Sequence, residues 1–418
     1  MSAITTRELV EIDERRLLRR LDDLAQRGAL PQGGIYRPLY SPQWTSAMEL
    51  VATWMKDAGL LVRRDPVGNM WGRIEGSRGG RVIATGSHID TVRGGGALDG
   101  ALGVVAGIEA VSSLWQRFGR STRILECVAI CEEEGSRFDM NFWGARAIAD
   151  RLEPGEADRV RDADGVSLAD AMRGVGLDPA TAATAVRRDL DVFIELHVEQ
   201  GPILEDHGPR LGVVTTIAGT AHLEITVRGQ PDHAGAMAMD RRRDAFLGAS
   251  AMALGIAEAA VRMGHPAVAT VGTIVVEPSQ VNVVPGLAKF TVDTRHPDPA
   301  RRGELITQIG DLSKKIASER NLGVEIKTLR DRPPVNLSPR VGDVLRRAAV
   351  TAGIEPREMT SGAGHDAQVL TAAANAGMLF VPSIGGRSHC PEEATAAEDV
   401  VLGTRVLATA LRELAYQT

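Results

Sequence analysis

The sequence is poor in cysteine and carries no excess of positive charge. Its 418 residues include only three cysteines, Cys127, Cys131 and Cys390, and three thiols cannot form the disulfide framework of a small secreted domain. The formal net charge is -6, without a run of like charges long enough to form a tail, so the basic surface that nucleic-acid binding requires is excluded. These shortages predict a cytoplasmic protein whose partners are small molecules or further copies of itself.

The sequence also lacks a long uninterrupted apolar run. The longest run, residues 245–261, is rich in alanine and glycine and contains Glu258, which makes it poor material for a membrane span. Residues 1–16 carry acids where a secretory signal has a basic start and an unbroken apolar stretch, so we expect an ordinary first helix there. With 44% hydrophobic and 24% charged residues, the composition is typical of a globular protein of about two or three domains.

Strand-like and helical patterns alternate through the first half of the chain. Strand-like runs cover residues 81–85, 123–130, 191–198 and, near the C-terminus, 378–384, and helical patterns cover 45–58 and 100–116. Alternation of this kind favours an α/β fold with a mixed, largely parallel sheet.

Between residues 215 and 328 the pattern changes. Alternating strands cover residues 223–228, 269–276 and 289–294, and helical patterns cover 245–261 and 300–318. Alternating strands with two helices indicate a small α+β domain whose sheet is covered on one face. Because chemistry-bearing blocks lie on both sides of this segment, we predict a catalytic domain formed by residues 1–214 and 329–418, with 215–328 inserted into it.

Five glycine-punctuated blocks carry histidines and carboxylates at wide separations. They are residues 86–90, 95–100, 131–136, 195–200 and 386–390. Imidazole and carboxylate groups suit divalent cations such as zinc or manganese, and two such ions need roughly five to seven ligands, including one bridging carboxylate. Four of the blocks fall at or just beyond the ends of strand-like runs, where open α/β sheets place their ligand crevices. The blocks therefore predict a pair of metals in a hydrolase.

Single residues in these blocks each admit two interpretations. His88 is followed by Asp90, a carboxylate able to fix the tautomer of a metal-bound imidazole, although a lone histidine is more often structural. Asp99 could be a ligand, the N-cap of a helix starting at residue 100, or both. Residues 132–134 form either a solvated acidic turn or a ligand beside a general base. Cys131 invites a thiol-nucleophile hypothesis, but a buried apolar role is favoured because no lysine partner is evident.

Three polar residues of the inserted segment could contact a substrate. His233 lies in a turn of small residues and could donate a hydrogen bond to a developing oxyanion from a mobile lid. Arg295 ends a strand and could bind a substrate carboxylate through two N–H donors, with Asn282 nearby. Taken singly, each is more readily explained as a surface ion-pair or turn residue.

Six motifs occur in one order along the chain. They are GSHIDT at 86–91, EEEGSRF at 132–138, LHVEQGPILE at 196–205, QVNVVPG at 280–286, SGAGHDA at 361–367 and SHCPEE at 388–393. With these motifs the chain resembles, over nearly its whole length, the carbamoylase and allantoate amidohydrolase branch of the di-zinc aminoacylase and carboxypeptidase superfamily. The resemblance implies that the inserted segment is a lid and dimerisation domain.

The resemblance also implies a role for each residue of the blocks. The implied metal ligands are His88, Asp99, His197, Glu134 and His389. The first three would hold one divalent ion, the last two would hold a second together with Asp99, and Asp99 would bridge the pair. Glu133 would be the general base, unless the third glutamate shifts the motif by one residue and makes Glu132 the base. Asp90 would lie behind His88.

The implied substrate is a small ureido acid bound by residues of both domains. Its contacts would be Gln200, His233, Asn282, Arg295 and the backbone of Gly362 and Ala363, with His233 reaching across the interface of a homodimer. The implied reaction is hydrolysis of the carbamoyl C–N bond of an N-carbamoyl-L-amino acid. Allantoate amidohydrolase and β-ureidopropionase are alternatives with the same mechanism, and a thiol-dependent amidase or a non-catalytic metal-binding protein is a more distant one. Zinc, manganese, cobalt and nickel all suit these ligands.

The chain departs from the family pattern at two places. Residues 236–239 read AMAM after the lid histidine, where the family usually has Thr-Thr-Pro-Met, and this affects the conformation of the lid loop. Ala97 and Leu98 precede Asp99, where larger or aromatic residues are common, and this affects the shape of the pocket. Neither departure removes a ligand.

Overall fold

The computed structural model describes residues 8–416, which fall into two compact units. The first unit comprises the chain up to Thr215, Leu337–Met359 and the chain from His365 onwards. The second comprises Thr216–Asn336 and Thr360–Gly364. The chain therefore leaves the first unit and returns to it. The sequence predicts the return at residue 329, but it comes later because a strand, Gly323–Arg332, continues through that position.

The helices occur throughout the chain. In order they are α1 (Glu14–Ala25), α2 (Pro42–Asp57), α3 (Ala101–Phe118), α4 (Trp143–Ile148), α5 (Glu156–Arg159), α6 (Leu168–Gly174), α7 (Ile203–His207), α8 (Ala245–Met263), α9 (Pro299–Glu319), α10 (Pro339–Thr351), α11 (Asp366–Leu370) and α12 (Ala397–Tyr416). Short 3-10 helices lie at Pro179–Ala185, Met239–Arg241 and Ile384–Gly386. The first helix starts later than predicted because the Asp13 side chain caps it by accepting the N–H of Arg16; residues 8–13 are not helical, and residues 1–7 lie outside the described residues.

The strands form two sheets. They are β1 (Leu61–Arg64), β2 (Met70–Ile74), β3 (Val82–His88), β4 (Leu125–Ile130), β5 (Leu190–Val198), β6 (Gly212–Ile217), β7 (Gly219–Arg228), β8 (Val268–Glu277), β9 (Leu287–His296), β10 (Gly323–Arg332), β11 (Val335–Asn336), β12 (Arg357–Ser361) and β13 (Asn375–Val381). The large sheet has the order β1-β2-β4-β3-β5-β13-β6-β11, and β12 also pairs with β6.

Four neighbouring parallel strands form the centre of the large sheet. β4, β3, β5 and β13 lie side by side and parallel, and nearly all of their residues are buried, as expected for strands covered on both faces. β2 joins β4 and β6 joins β13 in antiparallel pairs. At the far side of β6, β12 runs in the same direction as β6, because the N–H of Arg357 donates to the carbonyl of Leu211 and the N–H of Ala218 donates to that of Ser361. The predicted α/β fold with a mixed sheet is confirmed.

The second unit is built on an antiparallel sheet of order β10-β7-β9-β8. Its core consists of alternate residues of β7 and β9 packed against α8 and α9, which is the α+β arrangement that the sequence predicts. By length and composition alone α8 could cross a membrane. In the structure one face of α8 packs in the core of the second unit, where Ala245, Met252 and Ile256 are fully buried, and the other face is exposed at Leu254 and Val261.

Candidate metal centre

The four central strands of the large sheet bring the predicted ligands to one edge. His88 is the last residue of β3, and residues 132–134 follow β4. His197 is the penultimate residue of β5, and His389 lies in the loop that follows β13. Because these strands are adjacent and parallel, residues from distant blocks meet at their carboxyl ends.

His88, Asp99 and His197 form the first group of ligand atoms. Nε2 of His88 lies 3.6 Å, and Nε2 of His197 lies 3.2 Å, from Oδ1 of Asp99. All three residues are buried, and one ligand atom from each lies within 4.8 Å of the others. This group could hold a metal ion.

Asp99, Glu134 and His389 form the second group, in which one ligand atom from each residue again lies within 4.8 Å of the others. Nε2 of His389 lies 3.1 Å from Oδ2 of Asp99 and 3.3 Å from Oε1 of Glu134. The two oxygens of Asp99 thus face different groups, Oδ1 the first and Oδ2 the second. This is the arrangement that a carboxylate bridging two ions requires.

The helix α3 begins after Gly100, so the Asp99 side chain is not used to cap it and can lie between the two groups. The N-cap interpretation of Asp99 is wrong, because the N-cap of α3 is Gly100 and no side chain caps the helix. Gly100 has a left-handed φ of 64°, and a Cβ there would lie 2.4 Å from Nε2 of His88. Only glycine lets the turn pass beside the imidazole at this φ.

Backbone carbonyls orient the two histidines of the first group. Nδ1 of His88 lies 3.0 Å from the carbonyl oxygen of Asp90, and Nδ1 of His197 lies 2.9 Å from that of Val198. An Nδ1–H that donates to a carbonyl leaves the lone pair of Nε2 for a metal. The sequence assigns this role to the carboxylate of Asp90, but that carboxylate lies 3.7 Å from Nδ1 of His88, and the carbonyl performs the role instead.

The structure separates the three adjacent glutamates. The backbone N–H groups of Glu133 and Glu134 donate to Oδ1 and Oδ2 of Asp90, at 3.2 and 3.0 Å. Glu132 is fully buried with a left-handed φ of 55° and belongs to neither group. The solvated-turn interpretation is wrong, because Glu132 and Glu133 are both buried. Burial raises the pKa of Glu133 well above its ordinary value, which suits a group that takes and returns a proton.

The crowded carboxylates change the pKa values of the histidines. Burial by itself lowers the pKa of His88, but a hydrogen bond to Asp99 and the neighbouring carboxylates raise it well above its ordinary value. The hydrogen bond to Asp99 raises the pKa of His389 to about 9, and burial raises the pKa of Glu134 to about 7. The raised pKa values show that these crowded carboxylates favour positive charge between them, and the set of imidazole nitrogens and carboxylate oxygens fits a borderline divalent ion.

A third group of possible ligands, Glu195, His197 and His365, is a structural cluster. Nδ1 of His197 is bound to the carbonyl of Val198, so only Nε2 could bind a metal, and Nε2 lies beside Asp99 in the first group. Glu195 already accepts the hydroxyl of Ser87 at 2.6 Å and the N–H of Ala367 at 2.9 Å. These contacts tie β3, β5 and α11 together beneath the first group.

Gln200 contacts a predicted ligand in this structure. Its Nε2 donates to Oδ2 of Asp99 at 3.0 Å and lies 3.2 Å from Oγ of Ser388. The sequence predicts that Gln200 contacts substrate, and it gives no indication of this hydrogen bond.

The sequence does not single out Glu393, whose carboxylate accepts hydrogen bonds from the backbone N–H groups of Leu98 and Asp99. Its position four residues after His389 in the SHCPEE motif was the available signal.

In the second unit the structure brings His233 and Asn282 together. A β-bridge joins His233 to Val283, and the N–H of Ala234 donates to the carbonyl of Asn282 at 2.9 Å. His233 is exposed, and its Nδ1 accepts the N–H of Gly235 at 3.0 Å. A neutral imidazole that accepts at Nδ1 carries its proton on Nε2. His233 is therefore prepared to donate a hydrogen bond through Nε2.

Arg295 has an internal carboxylate partner. Its Nε and Nη2 donate to the two oxygens of Asp293, each at 2.9 Å, and its Nη1 donates to the carbonyl of Gly362 at 2.7 Å. The N–H of Ala363 donates to the hydroxyl of Ser361 at 3.2 Å. The structure thus brings Arg295 and Gly362 together, but Asp293 occupies the pair of donors expected to face a substrate.

Cys131 is unsuited to be a nucleophile. It is fully buried, its Sγ lies 3.1 Å from the carbonyl oxygen of Val67, and burial raises the pKa of its thiol well above the ordinary value. Because the thiolate is the reactive form, these observations favour the buried apolar role.

Residues 84–413 match the model of peptidase family M20/M25/M40. The chain belongs to this family. As a member of the M20 family it is a hydrolase, and the resemblance found from its motifs is confirmed.

Named relatives match this M20 hydrolase along nearly their whole length. It is 39% identical over 395 residues to the allantoate amidohydrolase of Escherichia coli (strain K12), with 94% of this chain and 96% of the relative covered. It is also 39% identical over 407 residues to the N-carbamoyl-L-amino acid amidohydrolase of Geobacillus stearothermophilus, with 97% and 99% covered. An amidase of the hydantoinase/carbamoylase family from Burkholderia multivorans has a similar structure, with a TM-score of 0.90, 34% identity, and 98% and 99% of the two chains covered.

Proposed function

We propose that this M20 hydrolase cleaves the carbamoyl C–N bond of N-carbamoyl-L-amino acids, giving the amino acid, carbon dioxide and ammonia. The observation that carries the proposal is the position of Asp99, whose two oxygens face two separate ligand groups. The identity to an N-carbamoyl-L-amino acid amidohydrolase supports the substrate class. Allantoate is the second candidate substrate, supported by equal identity to an allantoate amidohydrolase, and 3-ureidopropionate is a third.

Two divalent ions per chain complete the proposed centre. One is held by His88, Asp99 and His197, and the other by Asp99, Glu134 and His389. When bound, such ions act as Lewis acids and lower the pKa of the attacking water. Zinc suits these nitrogen and oxygen ligands, and so do manganese, cobalt and nickel.

Glu133 moves the proton in this proposal. Its carboxylate takes a proton from the attacking water, and the water oxygen forms a bond to the carbamoyl carbon. Glu133 then returns the proton to the amino-acid nitrogen as the C–N bond breaks. Burial raises the pKa of Glu133, which makes its carboxylate a stronger base towards water than an exposed glutamate. The other product, carbamate, decomposes to carbon dioxide and ammonia.

Residues of the second unit and Gln200 contact the substrate in this proposal. His233 donates from Nε2 to the oxyanion that develops on the carbamoyl oxygen, and it acts from the partner subunit of a homodimer. Arg295 binds the substrate carboxylate in competition with Asp293. Asn282 and the backbone of Gly362 and Ala363 complete the contacts. The cytoplasmic location stays a prediction.

Ammonia release from parallel substrates tests the proposal. We expect turnover of N-carbamoyl-L-amino acids that is lost on chelation, restored by added divalent metal, and unaffected by thiol alkylation. Robust hydrolysis of allantoate with none of any carbamoyl amino acid would replace the first candidate with the second. Activity that survives chelation and disappears on alkylation would contradict the metal centre and favour a thiol amidase.

A further inference from the structure

Glu393 joins the two loops that carry Asp99 and His389. Its Oε1 accepts the backbone N–H groups of Leu98 and Asp99, each at 2.9 Å, although Asp99 lies 294 residues earlier in the chain. Its Oε2 accepts the hydroxyl of Ser388, the neighbour of His389, at 2.5 Å. Glu393 is buried. One carboxylate thus fixes the backbone at one ligand and the neighbouring residue at another.

The glycine-rich loop before Asp99 is shaped to receive this carboxylate. A Cβ at Gly96 would lie 2.1 Å from Oε1 of Glu393 and 2.2 Å from its Cδ. Carbon and oxygen atoms in such positions overlap, so any larger residue at position 96 would displace the Glu393 side chain. This observation is independent of the hydrogen bonds.

The hydroxyl of Ser388 extends the network to the side chain of Asp99. Ser388 lies 2.5 Å from Glu393 but 3.4 Å from Oδ2 of Asp99, so its single proton goes to Glu393. Its oxygen is then an acceptor for Nε2 of Gln200, at 3.2 Å, and the same Nε2 donates to Oδ2 of Asp99 at 3.0 Å. Glu393 therefore holds Asp99 in two ways. It accepts the backbone N–H of Asp99, and it is linked to the Asp99 carboxylate through the side chains of Ser388 and Gln200.

We propose that Glu393 is the positioning residue of the metal centre, which sets the spacing between Asp99 and His389 and hence the affinity for metal. The inference rests on the proposed two-metal function. The two oxygens of Asp99 face different ligand groups. A shift of the Asp99 carboxylate would therefore move at least one of these oxygens away from its group. Partners that hold metal ligands from behind typically change metal affinity or activity 10- to 100-fold when they are removed.

The test measures metal binding to chelator-stripped protein by cobalt titration, together with thermal unfolding without metal. The variants are Glu393→Ala, Glu393→Gln and Gly96→Ala. The control is Glu392→Ala, since Glu392 is an exposed neighbour that pairs with Arg387 at 3.0 Å. We expect dissociation constants raised about 10- to 100-fold in Glu393→Ala and unchanged in the control. Glu393→Gln should lie between them, because glutamine still accepts the two N–H groups but cannot accept the Ser388 proton with its nitrogen.

Gly96→Ala should weaken cobalt binding in the same direction, because it displaces Glu393 without altering the carboxylate. Parent-like dissociation constants in all three variants, with only a lower melting temperature of the metal-free protein, would overturn the proposal and leave Glu393 a structural role. If Glu393→Ala does not fold, Glu393→Gln and Gly96→Ala decide. A parent protein that binds fewer than two ions per chain would show that the two-metal function itself fails, before any variant is compared.

Discussion

At the scale of single residues, the centre depends on Asp99. Burial by itself raises the pKa of this carboxyl, but hydrogen bonds from His197, His389 and His88 lower it to well below its ordinary value. Asp99 therefore remains ionised although it is buried, and a buried anion needs compensating positive charge. Divalent ions held by the same imidazole and carboxylate groups would supply that positive charge.

Replacing Glu133 by glutamine should stop proton transfer and leave the ligand groups intact. Glutamine cannot take a proton from water, so we expect turnover to fall about 10²- to 10⁴-fold while metal content equals that of the parent. Steady-state kinetics and elemental analysis check this. Glu132→Gln is the matched control, because it is the same change at the adjacent buried residue. If Glu132→Gln abolishes turnover and Glu133→Gln does not, the motif is offset by one and Glu132 is the base.

Arg295→Ala tests whether this arginine binds substrate or only Asp293. We expect KM for a carbamoyl amino acid to rise about 10- to 100-fold with a smaller change in kcat, because a charge-assisted contact to the substrate carboxylate is lost. Asp293→Asn should not raise KM, since it weakens the competing partner. An unchanged KM in Arg295→Ala, with lower thermal stability in both variants, would show that Arg295 only stabilises the fold through its ion pair with Asp293.

At the scale of elements, the sequence predicts what is apolar and regular. The runs that became β3, β4, β5, α3, α8 and α9 were visible because one or both faces are buried. β1 and β10 were not visible, because most of their residues are exposed or half-buried and many are charged, and missing β10 moved the predicted boundary to 328. The motifs located the candidate ligands. They could not show that Asp90 uses its carbonyl, or that Gln200 holds Asp99, since both depend on loop backbone geometry.

The turn that starts α3 should tolerate no side chain at residue 100. Gly100→Ala places a Cβ 2.4 Å from His88 at a φ of 64°, so we expect a loss of about 1–3 kcal/mol from backbone strain and weaker metal binding from the displaced imidazole. Gly94→Ala is the control, because Gly94 also has a positive φ, 72°, but its Cβ would meet no described atom within 4 Å. Thermal unfolding and metal titration separate the effects. Equal metal affinity in the two variants would contradict the role of Gly100.

At the scale of the whole molecule, the second unit exposes apolar surface. Leu254 and Val261 on α8 are 69% and 80% exposed, and Ile274 and Val275 on β8 are 47% and 54% exposed. β8 is also an edge strand of its sheet. Apolar edge strands and patches are sites of association with another chain. A second copy of this chain is one partner that could cover these side chains, and the homodimer stays a prediction.

If His233 acts from the partner subunit, two defective variants should restore each other's activity. Glu133→Gln lacks the base and His233→Ala lacks the donor, but a mixed dimer has one site in which both residues are intact. In an equal, freely exchanged mixture about half of the dimers are mixed and each has one working site, so we expect roughly a quarter of the parent activity. Native mass spectrometry verifies that mixed dimers form. Activity that stays at the level of the separate variants although mixed dimers are present would show that His233 does not act across the interface.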